Sequence, residues 1–400
     1  MSLANPGRVL RLVAALSVLV FYAARPRATE SVRALSVGPA LIGSTAAVNA
    51  VVEAARAGGF NALLVQTPEH SDETTVRPLS LAEPPAFDPL AATVRRAHEA
   101  GLAVHARVNV SLVTKGDTLP ATREAVIYRH PEWLMVPRAL GAGLAPIDPK
   151  SPEYIGRLMR YVRARSDSLE GLYVSPVQDE VASYAAGLVR SIVERYGVDG
   201  ILLEGLRYPS DDFDYSRAVL AAFRRSVIAG LPASDRRAYD ARIAEEPFVY
   251  VNAFPERWRA FRTDGLNRLL DAVRTASRQV KPALILSAAI VADADSSSRL
   301  LQDWGAWLTR DLVDVVCPMA STTDARILAT QITSDYATAG ARVWAGIGTF
   351  GLSSAQIVEH VQAVRRAGVT GIVLFSPDTL AEPARGPEYL SQVGRAAFVQ

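Results

Sequence analysis

The chain has 400 residues and a single cysteine, Cys317, which excludes any disulfide within it. Cys317 lies in the apolar run Val315-Val316-Cys317, where a small buried core residue is expected; a nucleophile would need a base that the sequence does not evidently offer. Histidine occurs five times, and no pair has the His-x-His or His-Glu-x-x-His spacing of a metal hydrolase, so neither a metal nor another cofactor is expected. A Gly-x-Ser-x-Gly nucleophile elbow and a phosphate-loop glycine pattern are also missing. Charge of one sign never accumulates: the formal net charge is +2, and a nucleic-acid partner is not indicated.

No apolar run reaches the roughly 18–20 residues that a membrane-spanning helix needs. One N-terminal run, Leu12–Ala24, follows Arg8 and Arg11 and has the small residues Ala23, Ala24 and Ala28 near its end, the layout of a secretory signal peptide. Arg25, Pro26 and Arg27 interrupt the cleavage site, so an uncleaved anchor is the alternative. Residues 1–29 are therefore set apart, and one domain is expected over 30–400. The expected location is secreted or periplasmic, with membrane contact only if the segment stays uncleaved.

What is present after residue 30 is alternation. Short runs rich in Leu or β-branched residues are expected as strands at Val32–Val37, Ala62–Gln66, Ala103–Val108, Gly200–Glu204, Leu284–Ile290, Val313–Cys317, Val343–Ile347 and Gly371–Phe375. Helical patterns lie between them near 46–57, 88–100, 177–196, 257–280, 299–309, 324–338 and 354–367. Eight strands joined by crossovers predict an α/β fold, a (β/α)8 TIM barrel. Glycine hinges at Gly58-Gly59, Gly101, Gly197 and Gly368 close helices on the bottom face. Residues 109–176 and 205–256, the long loops after strands three and four, leave from the opposite face, where barrels place their chemistry. Glu204 ends the fourth strand there and is followed by Gly205, Arg207, Tyr208 and Pro209.

Several of these segments resemble the family-10-like glycosyl hydrolases, secreted bacterial TIM-barrel proteins. The likeness is carried by Phe87-Asp88-Pro89-Leu90, by Ala97 to Leu102, and by Val104-His105-Ala106-Arg107-Val108-Asn109-Val110. It continues through His130-Pro131-Glu132-Trp133-Leu134, Tyr196 to Ile201, Arg207-Tyr208-Pro209 and Val315 to Met319. The family's pattern has an aspartate where Glu204 stands and commonly a tryptophan where Arg107 stands.

The resemblance implies hydrolysis of glycosidic bonds in an extracellular or periplasmic polysaccharide. Such chemistry usually needs two carboxyl groups, one protonated for the leaving group and one acting as nucleophile or base. Glu204 is the expected nucleophile or base; a structural ion pair with Arg207 is its bland alternative. Asp293, just after strand five, is the expected general acid, with Glu69 and Asp378 as further strand-end acids. Asp211, Asp212 and Asp214 are expected in a solvated loop or helix entry. Gln66, Glu69, His105, Asn109, Trp133, Arg207, Tyr208, Trp344 and Asp378 are the expected substrate-binding residues. Asp293, Glu69 and Asp378 could equally cap helices or turns, and His105 could equally be a satisfied core residue. Trp258 and Phe375 could also stack on a sugar, whereas Trp304 and Trp307 have the helical spacing of an outer ring. The glycine pair Gly346 and Gly348 ends strand seven, where barrels sometimes bind phosphate, but such glycines also simply relieve crowding at a strand end. A carbohydrate-binding pseudoenzyme on the same barrel is the alternative function, and a scaffold using the long loops is a third.

Overall fold

The computed structural model describes residues 32–67, 87–116, 118–336, 339, 342–375 and 387–398. Eight parallel strands close into a barrel in sequence order. They are β1 (Val32–Val37), β2 (Ala62–Gln66), β3 (Ala103–Asn109), β4 (Gly200–Glu204), β5 (Ile285–Val291), β6 (Val315–Ala320), β7 (Trp344–Gly348) and β8 (Gly371–Phe375). The barrel is the expected (β/α)8 architecture, with long connections after β3 and β4.

Strands β3 and β5 to β7 end one to three residues beyond the apolar runs that announced them. β6 also starts later, at Val315 instead of Val313: the Asp314 carboxylate accepts from Leu286 N at 2.8 Å, and its own N–H donates to Leu286 O at 2.8 Å. This clamp holds the strand entry, so pairing begins at Val315. The helical pattern expected at 299–309 is instead two helices, Ala294–Arg299 and Trp304–Thr309, broken at the buried Leu301 with φ 61°.

The two long connections contain helices of their own, which the strand-and-crossover pattern did not announce. They are Val126–Arg129, Arg138–Leu144 and Pro152–Arg163 after β3, and Arg217–Ile228, Ala233–Arg242 and Val249–Ala253 after β4. Pro152–Arg163 shows why such a segment is helical. Ser151 caps it by accepting from Glu153 N at 3.1 Å, Pro152 opens it, and Tyr154, Ile155, Leu158, Met159 and Val162 form one buried stripe. The insertion after β4 packs Tyr215, Phe223, Tyr250 and Trp258 into a satellite core. Arg262, only 4% exposed, donates to Asp211 O at 3.0 Å and to Phe213 O, tying that insertion to the long helix Pro255–Val280.

Inside the barrel, alternate strand residues share one face. Ala34, Leu64, Leu202, Cys317, Trp344 and Val373 pack together there. Glycines leave room for the larger members. A Cβ on Gly200 would lie 2.2 Å from His105 Nδ1, and one on Gly371 would lie 2.1 Å from Trp344 Cδ1. Each close pair therefore matches a large side chain with none.

Candidate active site

Above this packed layer the barrel opens into a cavity of about 430 Å3 at the carboxyl ends of the strands. Gln66, Arg107, Asn109, Glu204, Met319 and Phe375 line it from β2, β3, β4, β6 and β8. Strand alternation puts Glu204 there, four residues above inward Gly200. The Arg107 guanidinium reaches it from the neighbouring strand, donating to Glu204 Oε1 from Nη2 at 2.7 Å and from Nε at 3.1 Å. Arg107 Nη1 also donates to Ser36 Oγ at 2.6 Å. Charge-assisted bonds of this kind orient a carboxylate as well as pairing it. The structural alternative to a catalytic Glu204 paired it with Arg207; the structure pairs it with Arg107, which shares the inward face of β3, and Arg207 pairs with Glu170.

The glycine after Glu204 has a definite reason. Gly205 has φ +73°, and a Cβ there would stand 2.3 Å from Asn109 Oδ1. That oxygen is engaged by Ser111 N at 3.2 Å and Leu112 N at 2.9 Å, so Asn109 shapes the wall where β3 enters its long insertion.

A second carboxylate on the cavity, Glu170, comes from the far end of that insertion. Val113 N donates to Leu172 O at 2.8 Å, and Leu172 N donates to Thr114 Oγ1 at 2.9 Å, folding 111–116 back along 170–174. Gly171 lets the two segments approach, since a Cβ would fall 1.9 Å from Thr114 O. Arg207 Nη2 lies 2.7 Å from Glu170 Oε2, and the Tyr173 hydroxyl donates to the same oxygen at 2.7 Å. Burial pushes the Glu170 carboxyl up, but Arg207, the Tyr173 hydroxyl and Lys115 outweigh it and hold the group below its ordinary value. Glu170 was missed in sequence because it belongs to no strand end. A signal existed: Leu169-Glu170-Gly171-Leu172 repeats the tetrapeptide Leu203-Glu204-Gly205-Leu206.

Other expected residues stand elsewhere. Asp293 is exposed and caps the helix Ala294–Arg299 by accepting from Ser296 N at 2.8 Å; the Ser296 hydroxyl and N–H hold its carboxyl below the ordinary value. It does not line the cavity, and a helix cap displaces the expected placement in the cleft. His105 and Trp344 lie in the packed layer below, their rings edge to face with centroids 5.4 Å apart. Burial, with Lys281 adding to it and Asp199 opposing it, drives His105 down to about 4, so it is a neutral core ring. Tyr208 is fully buried; its hydroxyl donates to Arg262 O at 3.3 Å and its ring lies under the Arg262 guanidinium. Trp133 stacks on His130 at 3.8 Å and is 8% exposed. Trp258 is buried in the satellite core, so none of these aromatic faces meets the cavity; Phe375 does. Glu69 and Asp378 lie outside the described residues.

Asp214 reverses expectation most sharply. It is fully buried rather than solvated, and accepts from Val136 N at 3.2 Å where the two insertions meet. Burial pushes its carboxyl up to about 6, against the hydrogen bonds of Ser175, Val136 and Ser216 and the charge of Arg262. Cys317, also fully buried, has its thiol pushed up to about 12 by burial, with Glu204 adding to the effect.

A closed barrel of eight parallel strands with a carboxylate at the carboxyl end of β4 defines a (β/α)8 TIM barrel with a polar mouth. The chain belongs to the glycosyl hydrolase-like 10 family, whose model matches residues 69–341. No curated protein sequence matches the chain. Among solved structures, the catalytic domain of β-amylase from Paenibacillus polymyxa is similar, with TM-score 0.61 and 13% identity, over 92% of this chain and 98% of that one. The glycoside hydrolase domain of PgaB (BpsB) from Bordetella bronchiseptica superposes with TM-score 0.55 and 14% identity, over 91% and 98%. A β-galactosidase from Bacillus circulans sp. alkalophilus gives TM-score 0.60 and 12% identity, over 92% of this chain and 55% of that one. At these identities the likeness establishes the fold.

Proposed function

We propose that the barrel mouth binds a segment of an extracellular or periplasmic polysaccharide and hydrolyses a glycosidic bond there, with Glu204 as nucleophile or water-activating base. The observation that carries this is the Glu204 carboxylate at the open cavity, with Oε1 held by two bonds from Arg107. Oriented in this way, the carboxylate does not have to reorganise when a sugar carbon or a water is placed before it. Glu170 is the other described carboxylate on the cavity and the available partner for leaving-group protonation. Its Arg207 contact opposes that role until a substrate displaces the guanidinium.

That same contact favours a second reading, a glycan-binding protein without turnover. Both described carboxylates on the cavity are paired with arginines, an arrangement suited to accepting hydrogen bonds from sugar hydroxyls. Purified protein assayed against bacterial and plant glycans separates the two. Hydrolysis that falls at least about 100-fold in Glu204→Gln supports the enzyme. Hydrolysis untouched by that change sinks the role of Glu204, and binding without turnover by the wild type selects the second reading. The proposed location rests on the Arg8, Arg11 and Leu12–Ala24 layout; sequencing the N-terminus of exported protein tests it.

A further inference from the structure

Large apolar side chains exposed to solvent are scarce among the described residues, and Phe350, at 75% exposure, stands out. It occupies the loop after β7, on the face where the cavity opens. β7 contributes Gly346 and Gly348, whose missing side chains let Met319 and Phe375 lean in from the two neighbouring strands. A Cβ on Gly346 would lie 2.5 Å from Met319 Sδ, and one on Gly348 would lie 3.1 Å from Phe375 Cζ. Met319 and Phe375 are cavity walls, and Phe350 lies two residues past the end of the strand between them.

The backbone of the loop is held on both sides of Phe350. Thr349, 1% exposed, donates to Phe375 O from its N–H at 3.1 Å and from its hydroxyl at 3.0 Å. Leu352, also 1% exposed, donates its N–H to Thr349 O at 3.2 Å, closing a turn across Phe350 and Gly351. Gly351 has φ +71°, the positive value that a type II turn needs at its third position. Immediately afterwards Ser353 and Gln356 form a reciprocal capping box at the start of the helix Ser354–Arg366. Phe350 is thus an exposed ring on a turn anchored at both ends, and holding it out in water has a standing cost in apolar exposure. With the turn's backbone fixed before binding, only the two side-chain torsions of the ring remain to be ordered when a partner covers it.

We propose that Phe350 is a stacking platform for a pyranose unit of a glycan that continues from the cavity over the β7 rim. The C–H face of a pyranose is apolar and flat enough to cover such a ring, while its hydroxyls stay at the edge in water. This assignment rests on the glycan reading of the mouth and adds a subsite to it.

The test is isothermal titration of wild type, Phe350→Ala and Phe350→Trp with short and long β-linked glucose and N-acetylglucosamine oligomers, after matching melting temperatures. Expected is a roughly tenfold loss of affinity in Phe350→Ala that grows with oligomer length, and recovery in Phe350→Trp. Equal affinity of Phe350→Ala and wild type at every length overturns the platform while leaving the cavity assignment standing. A loss that tryptophan does not restore also overturns it. If the wild type binds none of these oligomers while hydrolysing no glycan, the reading of the mouth fails and the platform falls with it.

Discussion

Two layers of one barrel interior, one or two inward steps apart along a strand, have opposite character. In the lower layer His105 and Trp344 fill the space beside Gly200 and Gly371, and the titratable ring is driven neutral. In the upper layer Arg107 and Glu204, two and four residues further along the same faces, keep their charges paired at 15% and 22% side-chain exposure. Composition does not separate them, since both contain polar residues of catalytic type. Water does: below, desolvation is complete and the polar ring is tolerated only without charge; above, the cavity keeps two charges affordable as a pair.

The largest loss is expected in the lower layer, from Gly200→Ala. Its methyl group would meet both His105 Nδ1 and Ile285 O, at 2.2 and 2.8 Å, and the second is backbone that cannot swing away. We expect a loss of about 3 kcal/mol in urea unfolding. A change under about 1 kcal/mol would mean that the lower layer is not tightly packed.

Acid titration reports separately on the buried ring. His105, held near 4 in the fold against an ordinary value of 6.5, contributes stability that is full above about pH 6.5 and is lost as pH falls toward 4. Asp214, in the seam between the insertions, has its folded value raised to about 6, so its contribution is full below its ordinary value of 3.8 and is lost as pH rises toward 6. Between those limits the slopes oppose. Asp214→Asn is expected to expose the His105 slope, so that its stability falls faster than wild type on acidification, by about 3 kcal/mol across the window. Parallel curves for the two proteins, from urea midpoints at stepped pH, would contradict this.

The smallest effect on the fold is expected in the upper layer. Arg107→Met removes the partner of a half-buried carboxylate and should cost about 1–2 kcal/mol, between the exposed and fully buried cases. Its mark should instead be functional, with glycan turnover falling about 10–100-fold as Glu204 loses its orientation. A large stability loss with unchanged turnover would make the upper layer as structural as the lower one.

Much of the barrel was legible because its signals are local. Apolar runs between glycine-closed helices mark strands wherever they lie, and Glu204 at the end of such a run needed no partner to be noticed. The motifs that carried the family resemblance turn out to be mostly structural. Asp199 accepts from Val104 N at 2.8 Å and pairs with His98 at 2.8 Å, while Tyr208 and Trp133 are packed inside. Asp293 misled because a strand-end acid and a helix cap look the same in one dimension, and a cap is satisfied by the next three residues alone.

The strand order, the open face and the carboxylate at the end of β4 were readable along the chain, since each follows from periodicity over a handful of neighbours. Which guanidinium meets that carboxylate, which second acid joins it and which polar rings are dry emerged with the folded barrel. Those outcomes depend on the closure of long insertions and on the height of a side chain in the barrel. Arg107 and Glu204 are 97 residues apart, and Glu170 reaches the mouth only because 170–174 folds back on 111–116.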